Sequence, residues 1–359
     1  MPDTFSTPRF RQRLRGRIAR ILGRLPGALQ CRLSGRPPVV VDGQTLDPTL
    51  QLLLSLRPST TKAILTAGSP ERARARFRRD ALSMRGRPTP VGGVRDLVVS
   101  GGEGEIPARH YAPRTDREPR PLLVYFHGGG FMLGDLESHD EVCRLLCRFG
   151  EQHVLSIDYR LAPEHPFPAA VEDAEAAFLW AREHAAGLDA DPERVAVGGD
   201  SAGANLATVV ARRTAKTTPP TAQLIIYPGL DRSTPRPSHD LFGDGYYLNA
   251  EDIAAFSSHY NPRRLEPSEI PDVSPIRAAN LGGLAPALVV TAGFDVLRDE
   301  GEAYAQALVD AGTRCTVYRE PTLAHGFVQM TPICPGAHRA TVSLAQRWRA
   351  MLDSIGECV

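Results

Sequence analysis

The chain has 359 residues, 42% of them hydrophobic and 23% charged, with a formal net charge of +1. That length and balance suit a globular protein with a large core, and a charge near zero excludes a global pull toward nucleic acid or acidic ligands. The 31 prolines and 32 glycines punctuate many short elements and exclude a helical bundle, and no run of 18 or more apolar residues marks a membrane-spanning helix.

Residues 1–30 set Arg9, Arg11, Arg13, Arg15, Arg17, Arg20 and Arg24 against Asp3. Phe10, Leu14, Ile18, Ile21, Leu22, Leu25 and Leu29 recur at three- and four-residue steps, one stripe of an amphipathic helix that Pro26 and Gly27 interrupt or end. Such a helix either lies on an anionic membrane surface or packs its stripe on the body of the protein as part of a lid. Packing is the preferred reading. No uninterrupted apolar signal segment follows, so a cytoplasmic protein, at most peripheral to the membrane, is expected.

Residues 48–57 and 70–84 read as two further helices. From Asp96 the period changes to that of strands, over 97–100 and 106–112, with Gly101 and Gly102 as the hairpin turn. The chain then alternates: strand 122–126, helix 138–149, strand 154–159, helix 167–184, strand 194–198, helix 202–214, strand 224–227. After an interruption come strand 287–291, helix 301–311, strand 315–318 and a final helix over 336–352. Apolar strands separated by helices predict a parallel sheet covered on both faces. The interruption, from Pro228 to Pro286 with eight prolines, is too long for a simple connection. It reads as a helical insertion that forms a cap with the N-terminal region. The expected division is 1–90 as N-terminal helical region, 91–228 and 286–359 as catalytic domain, and 229–285 as cap insertion.

Six cysteines are scattered through the chain, unlike a small disulfide scaffold. Cys143 and Cys147 share a helix face, but no His or Cys pair follows at zinc-site spacing. They read as small buried hydrophobes, and no metal is expected.

Gly199-Asp200-Ser201-Ala202-Gly203 matches G-x-S-x-G. The pentapeptide alone is a weak signal, but here it lies between a strand and an alanine-rich helix, the setting of a nucleophile elbow. A serine hydroxyl needs a general base at neutral pH. His325, in the loop after the last strand, is where that base should emerge. Asp295 follows the preceding strand and orients the imidazole, while Asp299 reads as a helix cap or as a group that supports the site from behind. The strand 122–126 runs into His127-Gly128-Gly129-Gly130. Three glycines make sense if bare N–H groups must face a developing oxyanion, each worth about 3–4 kcal/mol in rate. The N–H groups of Gly128, Gly129 and Ala202 are assigned to that hole, with His127 holding the loop. Phe131, Met132, Tyr246, Tyr247 and Phe327 are taken as pocket walls.

These pieces resemble the hormone-sensitive-lipase-like family of esterases. The matching segments are His127 to Phe131, Asp158 to Pro168, Gly199 to Asn205, Tyr227 to Asp231, Phe294 to Gly301 and His325 to Phe327. They run through about 95–350 in the family's order, and residues 41–50 are similar to mycobacterial members. Val296 and Ala204 depart from the usual proline and glycine without removing a functional group. The resemblance implies an α/β-hydrolase fold with a mostly parallel eight-stranded sheet, flanking helices and a helical cap. It also implies no cofactor, and short- to medium-chain acyl esters as substrates, hydrolysed through an acyl-enzyme on Ser201. Arylamide deacetylation is the alternative, and a non-catalytic ligand-binding protein is disfavoured by the intact Ser201, Asp295 and His325. The expected partners are a small-molecule ester and no nucleic acid, with a peripheral membrane contact through residues 1–30 and a homodimer left open.

Overall fold

The computed structural model describes residues 10–56, 65–114 and 119–356, apart from 262, 264, 267 and 268. Asp3, Arg9, Arg57, Cys358 and the side chains of Phe10, Arg11 and Arg13 lie outside the described residues.

Two short helices open the chain, α1 (Phe10–Leu22) and α2 (Gly27–Leu33), and Pro26 stands between them as the N-cap of the second. A two-residue ribbon follows, β1 (Val40–Val41) against β2 (Gln44–Thr45). The carboxylate of Asp47 then accepts the backbone N–H groups of Thr49 and Leu50 and starts α3 (Pro48–Ser55), with Pro48 in the first turn. Ser69 caps α4 (Pro70–Met84) in the same way.

The helix α1 differs from the preferred expectation. It docks through its small residues. A Cβ on Gly16 would fall 1.8 Å from the Ser83 carbonyl oxygen, and one on Gly23 would fall 2.0 Å from that of Ile333. Arg20 donates to the carbonyls of Met84 (3.0 Å) and Arg85 (2.6 Å), groups left open at the end of α4. Backbone approach wins over side-chain burial here, so the apolar stripe turns outward, with Leu14 at 44%, Ile18 at 46% and Ile21 at 61% exposure.

The sheet begins with the hairpin β3 (Gly93–Gly101) and β4 (Gly104–Ala112). Then β5 (Arg120–Phe126), α5 (Asp140–Gly150), β6 (His153–Ile157), α6 (Ala169–His184), β7 (Ala190–Asp200), α7 (Ala202–Arg213) and β8 (Gln223–Ile226) alternate. The interruption carries α8 (Pro237–Phe242) and α9 (Ala250–Tyr260) before β9 (Ala287–Phe294), α10 (Arg298–Asp310), β10 (Cys315–Ala324) and α11 (Pro335–Gly356). The strand order is β10-β9-β8-β7-β5-β6-β4-β3. The six strands from β10 to β6 pair in parallel, and β4 and β3 are antiparallel at the edge.

The central strands β5, β6, β8 and β9 are buried on both faces, which is why they read as largely apolar runs. In β5, Leu123 and Tyr125 face the layer of α5 and α11, and Leu122, Val124 and Phe126 face that of α6 and α7. The indole of Trp348 on α11 is fully buried and donates to Gln152 Oε1 at 2.9 Å, so its one polar group is satisfied. Cys143 and Cys147 are buried thiols in this core, as expected. Among the described residues no helix is long and apolar enough to cross a membrane.

The insertion is tied to both neighbours. Asp252 on α9 accepts the backbone N–H groups of Leu65 and Thr66 and the Thr66 hydroxyl, each at 2.9 Å. Asp299, in the first turn of α10, caps no N–H of its own helix; it accepts the Ser238 N–H at the start of α8 at 2.8 Å and so ties the insertion to α10. Val296 and Ala204 are both buried in the apolar core.

Candidate active site

Three strands deliver three side chains to one edge of the sheet. Strand β7 ends at Asp200, and Ser201 follows with φ +55°, a left-handed conformation that a side-chain-bearing residue rarely holds. Its N–H donates to the Ile226 carbonyl at 2.9 Å, which fixes the turn onto β8. The crossing of strand and helix needs glycine on both sides: a Cβ on Gly203 would lie 1.9 Å from the Phe126 carbonyl oxygen, and one on Gly199 2.4 Å from it. Strands β9 and β10 run further than their apolar runs suggest, to Phe294 and Ala324. Asp295 and His325 are therefore the next residues after their strands.

His325 Nε2 lies 3.0 Å from Ser201 Oγ, and its Nδ1 lies 2.8 Å from Asp295 Oδ2. Asp295 Oδ1 accepts the Leu297 N–H at 2.9 Å, which holds the carboxylate in plane for the imidazole. All three residues are buried, Ser201 the least at 9% exposure. The chemistry open to this arrangement is proton transfer from Ser201 to a histidine whose second nitrogen is held by a carboxylate.

The glycine loop departs from the expected assignment at Gly128. The Gly128 N–H donates to Asp200 Oδ1 at 2.8 Å, so that donor is already taken. Gly129, Gly130, Ser201 and His325 instead line one cavity of about 270 Å³. The N–H groups of Gly129, Gly130 and Ala202 donate to no described backbone acceptor. Gly130, with φ +63°, is also where the loop passes under the insertion: a Cβ there would meet the Phe256 ring at 2.2 Å. His127 is fully buried, stacks on Tyr159 with ring centroids 4.4 Å apart, and contacts the Gly128 carbonyl through Nδ1. That is the loop-holding role expected of it.

Asp200 is the residue that sequence reasoning missed. Its carboxylate accepts the Gly128 N–H, the Tyr125 hydroxyl at 2.7 Å and the Tyr227 hydroxyl at 3.1 Å, with the His139 ring 3.5 Å away. Burial alone would raise its pKa. The His139 ring and these donors outweigh burial and bring it to about 2, so Asp200 is ionised at neutral pH. The signal was its place beside Ser201; its partners come from three other elements.

Of the expected pocket walls only Tyr247 lines the cavity. Phe131, Met132 and Phe327 are at most 1% exposed and belong to the core. Phe131 turns away with φ +62° and stacks on Tyr260 at 3.8 Å. Tyr246 packs edge-on against Phe242, 5.4 Å between centroids. The walls come instead from Leu65 and Phe77 of the N-terminal region and from Leu248, Ile253 and Phe256 of the insertion. A polar end is formed by Asp231, Arg232, Ser257 and Glu300. A second, largely apolar cavity of about 520 Å³ lies under α1, lined by Leu50, Leu53, Leu54, Met84, Met330 and Ile333. It shares Leu65, Phe77, Tyr247 and Gln329 with the first.

A parallel sheet that presents a serine, a histidine and an aspartate in hydrogen-bonding sequence defines the serine hydrolase class. The profile of the family described as alpha/beta hydrolase fold matches residues 123–329. The carboxylic ester hydrolase LipN of Mycobacterium tuberculosis is 46% identical over 345 residues, 94% of this chain and 91% of LipN. The carboxylesterase NlhH of the same organism is 39% identical, over 82% of this chain and 93% of its own. Among solved structures, an ester hydrolase from the metagenome of Lake Arreo superposes with a TM-score of 0.80 at 37% identity, covering 85% of this chain and 99% of that one. The thermostable carboxylesterase EstE1, from a metagenomic library, gives 0.76 at 39% identity over 80% and 98%. The chain belongs to the alpha/beta-hydrolase family, in its hormone-sensitive-lipase-like branch.

Proposed function

We propose that the protein is a serine carboxylesterase that hydrolyses short- to medium-chain acyl esters through Ser201, His325 and Asp295. The observation that carries this reading is the continuous line of hydrogen-bonding contacts from Ser201 Oγ to His325 (3.0 Å) to Asp295 (2.8 Å) at the floor of a cavity. The family membership and the ester-hydrolase names of its relatives support it. His325 takes the serine proton as Oγ attacks the ester carbonyl. The oxyanion is received by the N–H groups of Gly129, Gly130 and Ala202, with Gly130 in place of Gly128. The alcohol leaves with the proton from His325, and water activated by the same histidine releases the acid.

Residues 1–90 and 229–285 act together as the cap in this reading, because both supply walls to the cavity and Asp252 joins them. The acyl chain runs past Phe77 and Tyr247 into the apolar cavity under α1, leaving the polar end of the first cavity to the alcohol portion. The test is a chain-length series of p-nitrophenyl esters on wild type and Ser201→Ala. We expect the variant to lose about 10³–10⁶ in kcat, the effect of removing a triad member. Retained turnover would overturn the assignment.

The exposed face of α1 supports a peripheral contact with anionic lipid. Leu14, Ile18 and Ile21 stand free beside exposed Arg15, Arg17 and Arg24, the pattern of a helix lying in a membrane interface. Co-sedimentation with vesicles containing phosphatidylglycerol should fall when Leu14, Ile18 and Ile21 are changed together to Ser. Unchanged sedimentation would refute the contact.

A further inference from the structure

The polar end of the active-site cavity holds a cation with no ion-pair partner among the described residues. Arg232 lines the cavity that also contains Ser201 and His325. Its Nη1 donates to Ser257 Oγ at 2.7 Å, and its guanidinium carbon sits 5.9 Å from the centre of the Phe131 ring. Its Nε and Nη2 donate to no described acceptor, and no described carboxylate comes within ion-pairing distance. The adjacent Asp231 is engaged elsewhere, with Arg236 at 3.0 Å and Arg277 at 3.3 Å. Glu300, the other carboxyl lining this end, receives the Leu230 N–H at 3.0 Å. Burial raises Glu300 to about 8 against the opposing pull of Arg232, which leaves it mostly protonated at neutral pH. A guanidinium stays charged in a protein, and a half-buried one that lines a cavity favours an anion beside it. The free donors of Arg232 form a fork suited to a planar carboxylate.

We propose that Arg232 is a specificity-determining residue that binds a carboxylate carried on the alcohol portion of the ester, so that the preferred substrates are acyl esters of hydroxy acids. This rests on the ester-hydrolase reading above and on the acyl chain occupying the apolar cavity. The carboxylate replaces water at the free guanidinium nitrogens and supplies the missing negative charge. Binding there aligns the leaving-group oxygen toward His325 from the side opposite the acyl chain. The bonds broken and formed are those of ordinary ester hydrolysis.

The test compares 3-carboxyphenyl butyrate with its neutral isostere, 3-carbamoylphenyl butyrate. For the wild type we expect kcat/KM to favour the carboxylate by about tenfold or more, carried mainly by KM, as one charge-assisted contact provides. In Arg232→Gln that preference should vanish, while Arg232→Lys should keep part of it. Inhibition of the wild type needs no variant: benzoate should compete with p-nitrophenyl butyrate at least about tenfold better than benzamide does. Equal turnover of the two esters, a preference unchanged in Arg232→Gln, or benzamide matching benzoate would each overturn the proposal. Failure of the ester-hydrolase reading looks different, because neither butyrate ester would then be cleaved.

Discussion

Asp200 stands between the serine and the glycine loop, and removing its carboxylate would leave the Gly128 N–H and the hydroxyls of Tyr125 and Tyr227 without their buried acceptor. An unsatisfied buried donor costs about 1–3 kcal/mol. Asp200→Ala should therefore destabilise the fold by about 3–5 kcal/mol and cut kcat/KM by about 100-fold even where the variant is folded, because the loop that carries Gly129 and Gly130 loses its anchor. Thermal unfolding and ester turnover measured together check both halves. A variant as stable and active as wild type would show that the loop is held by other contacts. At this scale Ser201, His325 and Asp295 were legible because their chemistry demands fixed residue types after particular strands. Gly128 was misassigned because choosing among three consecutive glycines depends on which N–H group Asp200 captures. That is a contact between distant segments with no local signature.

The elements show the same division. Strands and helices of the catalytic region were readable from period and punctuation, since burial on both faces dictates apolar strands. Their ends were less so: β9 and β10 continue to Phe294 and Ala324, where pairing rather than hydrophobicity sustains the strand. For α1 the apolar stripe suggested the docking face, yet the contact is made by Gly16, Gly23 and Arg20. Apolar periodicity cannot reveal a helix that docks by backbone approach. The pocket walls failed for a related reason, because aromatic residues near the motifs pack into the core while the walls come from the N-terminal region and the insertion. The second cavity gives this scale its prediction. Leu54→Trp should fill part of the space under α1 and lower kcat/KM for p-nitrophenyl octanoate about tenfold while leaving the acetate ester within about twofold. Parallel losses on both esters would show that the acyl chain does not enter that cavity.

For the whole molecule, the sheet works as a rigid edge that sets three residues from three strands in register, and the N-terminal region and insertion close over that edge. The fold class was readable from the order of the motifs, but the fit of one covering segment to the other depends on bonds such as those from Asp252 to Leu65 and Thr66. The proposed mechanism puts the covalent acyl bond on Ser201 Oγ. Its most direct measurement is peptide mass spectrometry after treatment with a p-nitrophenyl alkylphosphonate, in which the attacking oxygen displaces p-nitrophenolate and stays bonded to phosphorus. We predict one adduct per chain on the peptide containing Ser201, formed as esterase activity disappears and absent from Ser201→Ala. Loss of activity with Ser201 unmodified and another residue labelled would contradict the account.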